Sequence, residues 1–255
     1  MIVIMSPTKT FREQCKQREL KGSELIFKEE NLELINILKE YSEEDLSKLM
    51  KISLELSCLN VYRIKEFYSG NLKENYAIDF FYGEAFKGLN SEELSNEDLI
   101  YSQGVLRILS GLYGVIRPLD IIKEYRLEMG TKFKNEKYKD LYTFWKEKIT
   151  INIMEDIENS LGENILVNLA SDEYSRALDF KKINSKYGIV NIVFKENKNG
   201  QYKVVGTYAK KARGLMLRYI IQNRIETVEK IKEFNADRYR FNEELSNEKE
   251  LVFTR

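Results

Sequence analysis

Apolar and polar positions along this chain fall into short runs, and their period changes from segment to segment. That change separates strands from amphipathic helices. Ile2–Met5 is an unbroken apolar run closed by Ser6 and Pro7, which predicts a buried strand. Ser42-Glu43-Glu44-Asp45 has the form of a capping box, and Leu46, Leu49 and Leu56 follow at helical spacing. Ala77–Tyr82 reads as a strand. Ser95-Asn96-Glu97-Asp98 is a second capping box, opening a helix through Leu99, Leu106 and Leu109 that stops at Gly111. Lys139–Ile157 is predicted helical, with Leu141, Phe144, Trp145 and Ile149 on one face, and Ile165–Leu169 is a continuous apolar strand. Gly188–Lys195 and Tyr202–Tyr208 flank Asn199-Gly200, a strong hairpin signal. Ala209–Asn223 is helical again, and Leu251–Phe253 supplies a last strand to close the sheet. Strands and helices mix without strict alternation, no repeat or long linker divides them, and the expected fold is α+β. It is one domain over residues 1–255, a mixed sheet with surrounding helices.

Composition narrows the chemistry by exclusion. The 255 residues are 43 % hydrophobic and 12 % aromatic, enough for a sizeable core. There is no histidine, which removes Ser-His-Asp and Cys-His catalysis, His-ligated zinc and the facial-triad iron sites. Cys15 and Cys58 are far apart and form no CxxC, which implies a reducing compartment. No cofactor is expected, and no tightly held zinc or haem. No apolar run approaches the roughly 18 residues of a membrane span, and the opening Met1–Ser6 lacks the basic and long apolar regions of a secretory signal. The expectations are a cytoplasmic protein and no membrane partner.

The 41 basic and 41 acidic residues cancel, so no global field draws in a polyanion. The cancellation hides an uneven distribution. Residues 29–100 carry 16 acids against 7 bases, whereas residues 201–224 carry six bases and no acid.

Four stretches hold candidate chemistry. Ser6-Pro7-Thr8-Lys9-Thr10 directly follows the first strand, and its hydroxyls, turn amides and Lys9 ammonium suit an anion, although the glycines of a P-loop are missing. In residues 109–120, Gly111 and Gly114 permit a tight turn with exposed amides, flanked by Arg107 and Arg117. That is the plan of a helix-hairpin-helix, which grips a nucleic-acid phosphate without reading bases; a plain helix stop with packing glycines is the alternative. In residues 208–224, at about 100° per residue, Lys210, Arg213 and Arg224 project together while Lys211 and Arg218 share a second line about 100° away. The helix is apolar on most of its remaining surface, so it is buried, and its cations need a distant carboxylate or an external anion. Lastly, Asn168–Tyr174 is a polar cluster at the end of a buried strand, where α/β sites commonly sit. Glu128 and Glu173 are candidate general bases.

Taken in order, SPTKT, LSGLYGVIRPLD, YRLEMG, KDLYTFW, NLASDEY, YAKKARGLMLRYIIQNR and the terminal LVFTR resemble the YaaA family of bacterial peroxide-stress proteins, across essentially the whole chain. The resemblance implies a single-domain α+β fold outside the common superfolds, with a helix-hairpin-helix and a basic cleft. It implies largely sequence-independent binding of double-stranded DNA in the cytoplasm, and a role in limiting free intracellular iron and peroxide damage. By position, Lys9, Gly111, Gly114, Lys210, Lys211 and Arg213 carry over. Two departures stand out: Thr8 replaces the usual alanine, and Arg238 precedes Tyr239 where the family tends to have glycine, so the backbone there is expected to differ. An enzyme acting on a small phosphorylated or nucleotide-like substrate is the second class, with Lys9 and Lys210 as ligands and Glu128 or Glu173 as base.

Overall fold

The computed structural model describes residues 1–133 and 137–255. The chain opens with β1 (Ile2–Met5) and runs through α1 (Lys28–Leu38), α2 (Glu43–Met50) and α3 (Leu54–Lys65). β2 (Glu74–Tyr76), α4 (Ala77–Phe80), α5 (Glu84–Leu89) and α6 (Asn96–Val105) follow, then β3 (Leu106–Ser110), β4 (Gly114–Ile116) and β5 (Ile121–Lys123). Next come α7 (Leu141–Asn159), β6 (Ile165–Leu169), α8 (Asp172–Ser175), α9 (Phe180–Asn184), β7 (Gly188–Lys198) and β8 (Gln201–Lys203). The chain closes with α10 (Gly206–Gln222), α11 (Val228–Lys232), β9 (Arg240–Phe241) and β10 (Glu250–Thr254).

One mixed sheet organises the molecule, in the order β4-β3-β1-β6-β7-β10-β9, with β8 paired to the far end of β7. β3, β1, β6, β7 and β10 are mutually parallel, and β4 and β9 lie antiparallel at the edges. The parallel strands Ile2–Met5 and Leu106–Ser110 are buried along their whole length; the first therefore reads as an unbroken apolar run without alternation, while Arg107 and Ser110 interrupt the second. β1 is the point where the chain reverses its direction of travel through the sheet: β3 is laid down on one side of it and β6 on the other. Right-handed crossovers put the connecting helices on opposite faces, and both α6 and α7 pack on β1. Such a reversal leaves a crevice beyond the carboxyl ends of the strands, the usual ligand position in open parallel sheets.

The mixed sheet, the helices around it and the single contiguous core agree with the α+β expectation; several elements differ. Ala77–Tyr82 is not a strand. Residues 77–81 are buried on every side, so periodicity cannot separate helix from strand, and the segment forms α4 after the short strand β2. The helix opened by the Ser95 capping box ends at Val105, and Leu106–Ser110 is a strand between β1 and β4. The second half of the predicted hairpin is short, because α10 starts at Gly206. The helix expected after Ser42 breaks at Lys51, which adopts φ +53, and restarts with Ser53 as its cap.

The helix-hairpin-helix expected at Gly111 and Gly114 is therefore not formed there: the turn joins two strands. Its amides are already satisfied, since Leu112 N and Tyr113 N donate to Ser110 Oγ at 3.2 and 3.1 Å. Trp145 covers the turn and donates to the Gly111 carbonyl at 2.9 Å. Gly114 has φ +71, and a Cβ there would lie 2.6 Å from the Trp145 ring. The glycines are needed for packing, and no backbone amide is presented to a phosphate. The flanking cations are internal too. Arg107 makes a bidentate pair with Asp156, both bonds 2.7 Å, and Arg117 pairs with Asp120 at 3.0 Å. Arg238 adopts φ +67, the conformation that favours glycine, so the arginine is tolerated with strain and the backbone is not relieved of it.

Candidate functional site

A cavity of about 340 Å³ opens beyond the carboxyl ends of β1 and β6, at the reversal point of the sheet. Ser6, the first residue after β1, and Ser171, two residues after β6, tie those strand ends together. Ser171 N donates to Ser6 Oγ at 2.8 Å, and the two hydroxyls lie 3.1 Å apart. Behind them, Asn168 Oδ1 accepts from Ala170 N at 2.9 Å, and its amide donates to Asn191 at 2.8 Å, which holds the strand exit rigid.

The loop after β1 is held by residues 80–83. Tyr82 N donates to Thr10 O at 2.9 Å and Arg12 N to Phe80 O at 2.8 Å. Gly83 allows this approach, because a Cβ there would sit 2.3 Å from Thr8 Oγ1. Lys9 then projects into the cavity, but its ammonium is paired with Glu128 at 2.6 Å, and Arg126 approaches the same carboxylate at 3.3 Å. Glu173, on α8, accepts from Gly130 N at 3.0 Å through Oε1. Burial raises the Tyr174 phenol well above the ordinary tyrosine range, reinforced by the nearby Tyr125, Glu173 and Glu128. It stays protonated and neutral.

The opposite wall is α10, set against α5 by two glycines. A Cβ on Gly214 would lie 1.8 Å from the Ala85 carbonyl, and one on Gly88 would lie 2.2 Å from the Lys211 carbonyl. This close crossing brings Lys210 and Arg213, one turn apart, onto the cavity. Neither has a carboxylate within ion-pair distance among the described residues. Arg213 Nε is shielded from solvent and has no hydrogen-bond partner. Burial lowers the guanidinium pKa, only partly opposed by the charge of Asp172; even so, an arginine remains charged. The other basic residues of the helix segment are engaged. Lys211 lies 3.6 Å from Asp237, Arg218 pairs with Glu93, and Arg224 bonds Asp98 at 2.7 Å while stacking over Tyr101.

Of the cations picked out in the sequence, the cavity thus gathers Lys9, Lys210 and Arg213. Lys211 and Arg218 are paired with carboxylates elsewhere on the helix surface, and Arg107 and Arg117 are internal. Glu128 and Glu173, which nothing in the sequence joins, meet here. A second group was missed. A shallower depression of about 640 Å³ is lined by Tyr142, Lys146, Arg176 and Lys182, with Lys139 at its edge. Of its three carboxylates, Asp140 and Asp179 are helix caps, accepting from Thr143 N at 2.7 Å and from Lys181 N and Lys182 N at 3.1 Å, and Glu147 is the third. Arg176 lies over the Tyr142 ring at 5.7 Å, and Tyr142 donates to the Glu173 carbonyl at 2.9 Å. α8 is therefore the common wall of both depressions. Tyr142 lies within one quoted motif and Arg176 two residues beyond another, but scattered single cations give no periodic signal.

Among the described residues no group of three or more Cys, Asp or Glu is placed to hold a metal ion, and no helix is long and apolar enough to cross a membrane.

Fold and site together define a mixed α/β protein with a polar cavity at the carboxyl ends of a parallel sheet, lined by Lys9, Lys210 and Arg213 and by Glu84, Glu128 and Glu173. Comparison with known proteins makes this more specific. The family model described as "Peroxide stress protein YaaA" matches residues 1–245, and the chain belongs to that family. It is 46 % identical over 259 residues to a "UPF0246 protein" of Francisella philomiragia, covering 100 % of both chains. Over 260 residues it is 44 % identical to the "UPF0246 protein" of Francisella tularensis subsp. novicida and 45 % to that of subsp. tularensis, again covering 100 % of each.

Proposed function

We propose that this protein acts in the cytoplasmic response to peroxide stress by binding double-stranded DNA through its phosphate backbone, with little dependence on base sequence. The observation that carries this reading is the pair Lys210 and Arg213, two cations on the cavity rim that no carboxylate of the described residues neutralises. An arginine largely withdrawn from water with no partner loses hydration without compensation, and an external anion restores it. The extent of the cationic surface favours a polyanion. Beyond α8 further cations, Arg176, Lys146 and Lys182, line the neighbouring depression together with Asp140, Glu147 and Asp179, so a strand of phosphates seated at Lys210 and Arg213 finds basic groups next door. With no histidine and only Cys15 and Cys58 as thiols, limitation of free iron enters this reading as an indirect consequence.

The test is fluorescence anisotropy with two labelled duplexes of unrelated sequence over a range of salt. Both should bind alike, and log K should fall by about 0.9 for each phosphate neutralised. A flat salt dependence, or no binding at low salt, overturns the reading.

One observation favours a second class. Glu128 and Glu173 lie in the same cavity as Lys9 and Lys210, the arrangement an enzyme on a small phosphorylated or nucleotide-like substrate requires. Turnover of such a substrate, lost in Glu173→Gln with folding intact, would establish it.

A further inference from the structure

We propose that the cavity at the ends of β1 and β6 is a binding site for a single nucleoside monophosphate unit carrying an amino-bearing base, either free or projecting from a strand. The inference rests on the reading of Lys210 and Arg213 as phosphate ligands and adds what lies beyond the phosphate.

Size sets the first bound. At about 340 Å³ the space lies near the lower end of the roughly 300–1,000 Å³ typical of small-molecule pockets. It does not admit a duplex, whose major groove alone is about 12 Å wide. A duplex rests across the mouth; only one nucleotide unit goes in. The walls divide as such a unit does. Lys210 and Arg213 stand on one side for the phosphate. Leu169, Phe86 and the ring of Tyr174 supply apolar surface for a base, and Ser6 and Ser171 supply hydroxyls.

Glu173 gives the choice of base. Its Oε1 takes the Gly130 amide, whereas Oε2 has no hydrogen-bond or ion-pair partner among the described residues. Glu128 is different: Lys9 occupies one of its oxygens and Arg126 the other. The free lone pairs of Glu173 Oε2 accept from an exocyclic amine, as carboxylates do from cytosine N4. Adenine and guanine also carry such an amine; thymine has none, and its one ring N3–H lies between two carbonyl oxygens that the carboxylate repels, so it bonds Glu173 less well.

The experiment has two arms. In the first, equilibrium dialysis measures binding of dCMP, dAMP, dGMP and TMP to the full chain and to two variants of confirmed fold. The three amino-bearing nucleotides should bind at least tenfold tighter than TMP. Lys210→Ala/Arg213→Ala should lose at least tenfold for all. Glu173→Gln keeps the acceptor for Gly130 N but presents an amide donor, so it should narrow or reverse the preference against TMP. In the second arm, a duplex with 2-aminopurine at an unpaired position is followed by emission and anisotropy together. A change in base emission on binding, absent in Lys210→Ala/Arg213→Ala, identifies the strand as the source; free-nucleotide binding with unchanged emission identifies the free nucleotide. Salt-dependent DNA binding with no nucleotide bound and no emission change overturns the inference and leaves the DNA reading standing. Nucleotide binding without DNA binding does the reverse. Equal binding of TMP overturns the role of Glu173, and binding of neither ligand overturns both proposals.

Discussion

The crossing of α5 and α10 is where packing determines the site, and Gly214→Ala perturbs it by one methyl group. On an isolated helix this change is favourable, since glycine in a helix interior costs about 1 kcal/mol relative to alanine. In the protein the new Cβ meets the Ala85 carbonyl at 1.8 Å and the Leu89 amide at 2.7 Å, where ordinary contact begins at 3.4 Å. Both obstacles are backbone, so no rotamer change relieves them. The helices must separate by about 1.5 Å, within the overpacking regime that costs about 1–3 kcal/mol or more. With both obstacles rigid the cost falls at the upper end of that range and outweighs the propensity gain, and net destabilisation of up to about 2 kcal/mol is expected from chemical denaturation. The separation also draws Lys210 and Arg213 away from the α5 wall, so phosphate affinity should fall in the folded protein. Gly104→Ala in α6 is the control. A Cβ there has nothing within 4 Å, and the same methyl group should stabilise by about 0.5–1 kcal/mol. If Gly214→Ala stabilises as Gly104→Ala does, the account of the helix crossing is wrong.

Three further outcomes follow from the fold. Arg18 and Asp79 form an ion pair with both side chains only 1 % exposed; Asp79→Ala leaves a buried guanidinium and should cost about 3–5 kcal/mol in denaturant melts, whereas Arg18→Met/Asp79→Leu should cost much less. Asp140 caps α7, and the Thr143 amide and hydroxyl hold its carboxylate below the ordinary aspartate range against the opposing effect of burial. Its contribution is therefore present above about pH 4 and fades as pH falls through the lowered value, so the loss of about 1 kcal/mol in Asp140→Ala at pH 7 should shrink as the carboxylate becomes protonated in acid; a pH-independent difference would contradict the cap. Arg238→Gly releases an exposed residue from φ +67 and should raise stability by about 0.5–1 kcal/mol, while a loss would show that the arginine makes a stabilising contact.

Strands buried on both faces were legible in the sequence where turn chemistry bounded them. Ile2–Met5 ends at Ser6-Pro7, and Ile165–Leu169 ends at a polar cluster, so both were placed correctly. Leu106–Ser110 is equally buried, but it carries Arg107 and Ser110, a capping box precedes it with no break between, and the helix period runs through it unopposed. That error made a helix-hairpin-helix out of a strand turn. The same spacing argument fared differently on α10, a helix with a real apolar face. It separated the direction of Lys210 and Arg213 from that of Lys211, and those two residues line the cavity while Lys211 meets Asp237. What the sequence could not show is which carboxylates return from afar. Asp156, Asp120, Glu93 and Glu128 each neutralise a cation from more than twenty residues away or across a tight turn, and only the tertiary fold distinguishes them from free acids.

The central claim is that Lys210 and Arg213 contact DNA phosphates directly. The salt dependence of duplex affinity for Lys210→Ala/Arg213→Ala beside the unaltered chain tests it, with folding of both verified by denaturation. Each lost phosphate contact reduces the slope of log K against log salt by about one unit, so the account predicts a slope shallower by about two and weaker binding on any sequence. An unchanged slope in a folded double variant would place the phosphates elsewhere and contradict the account.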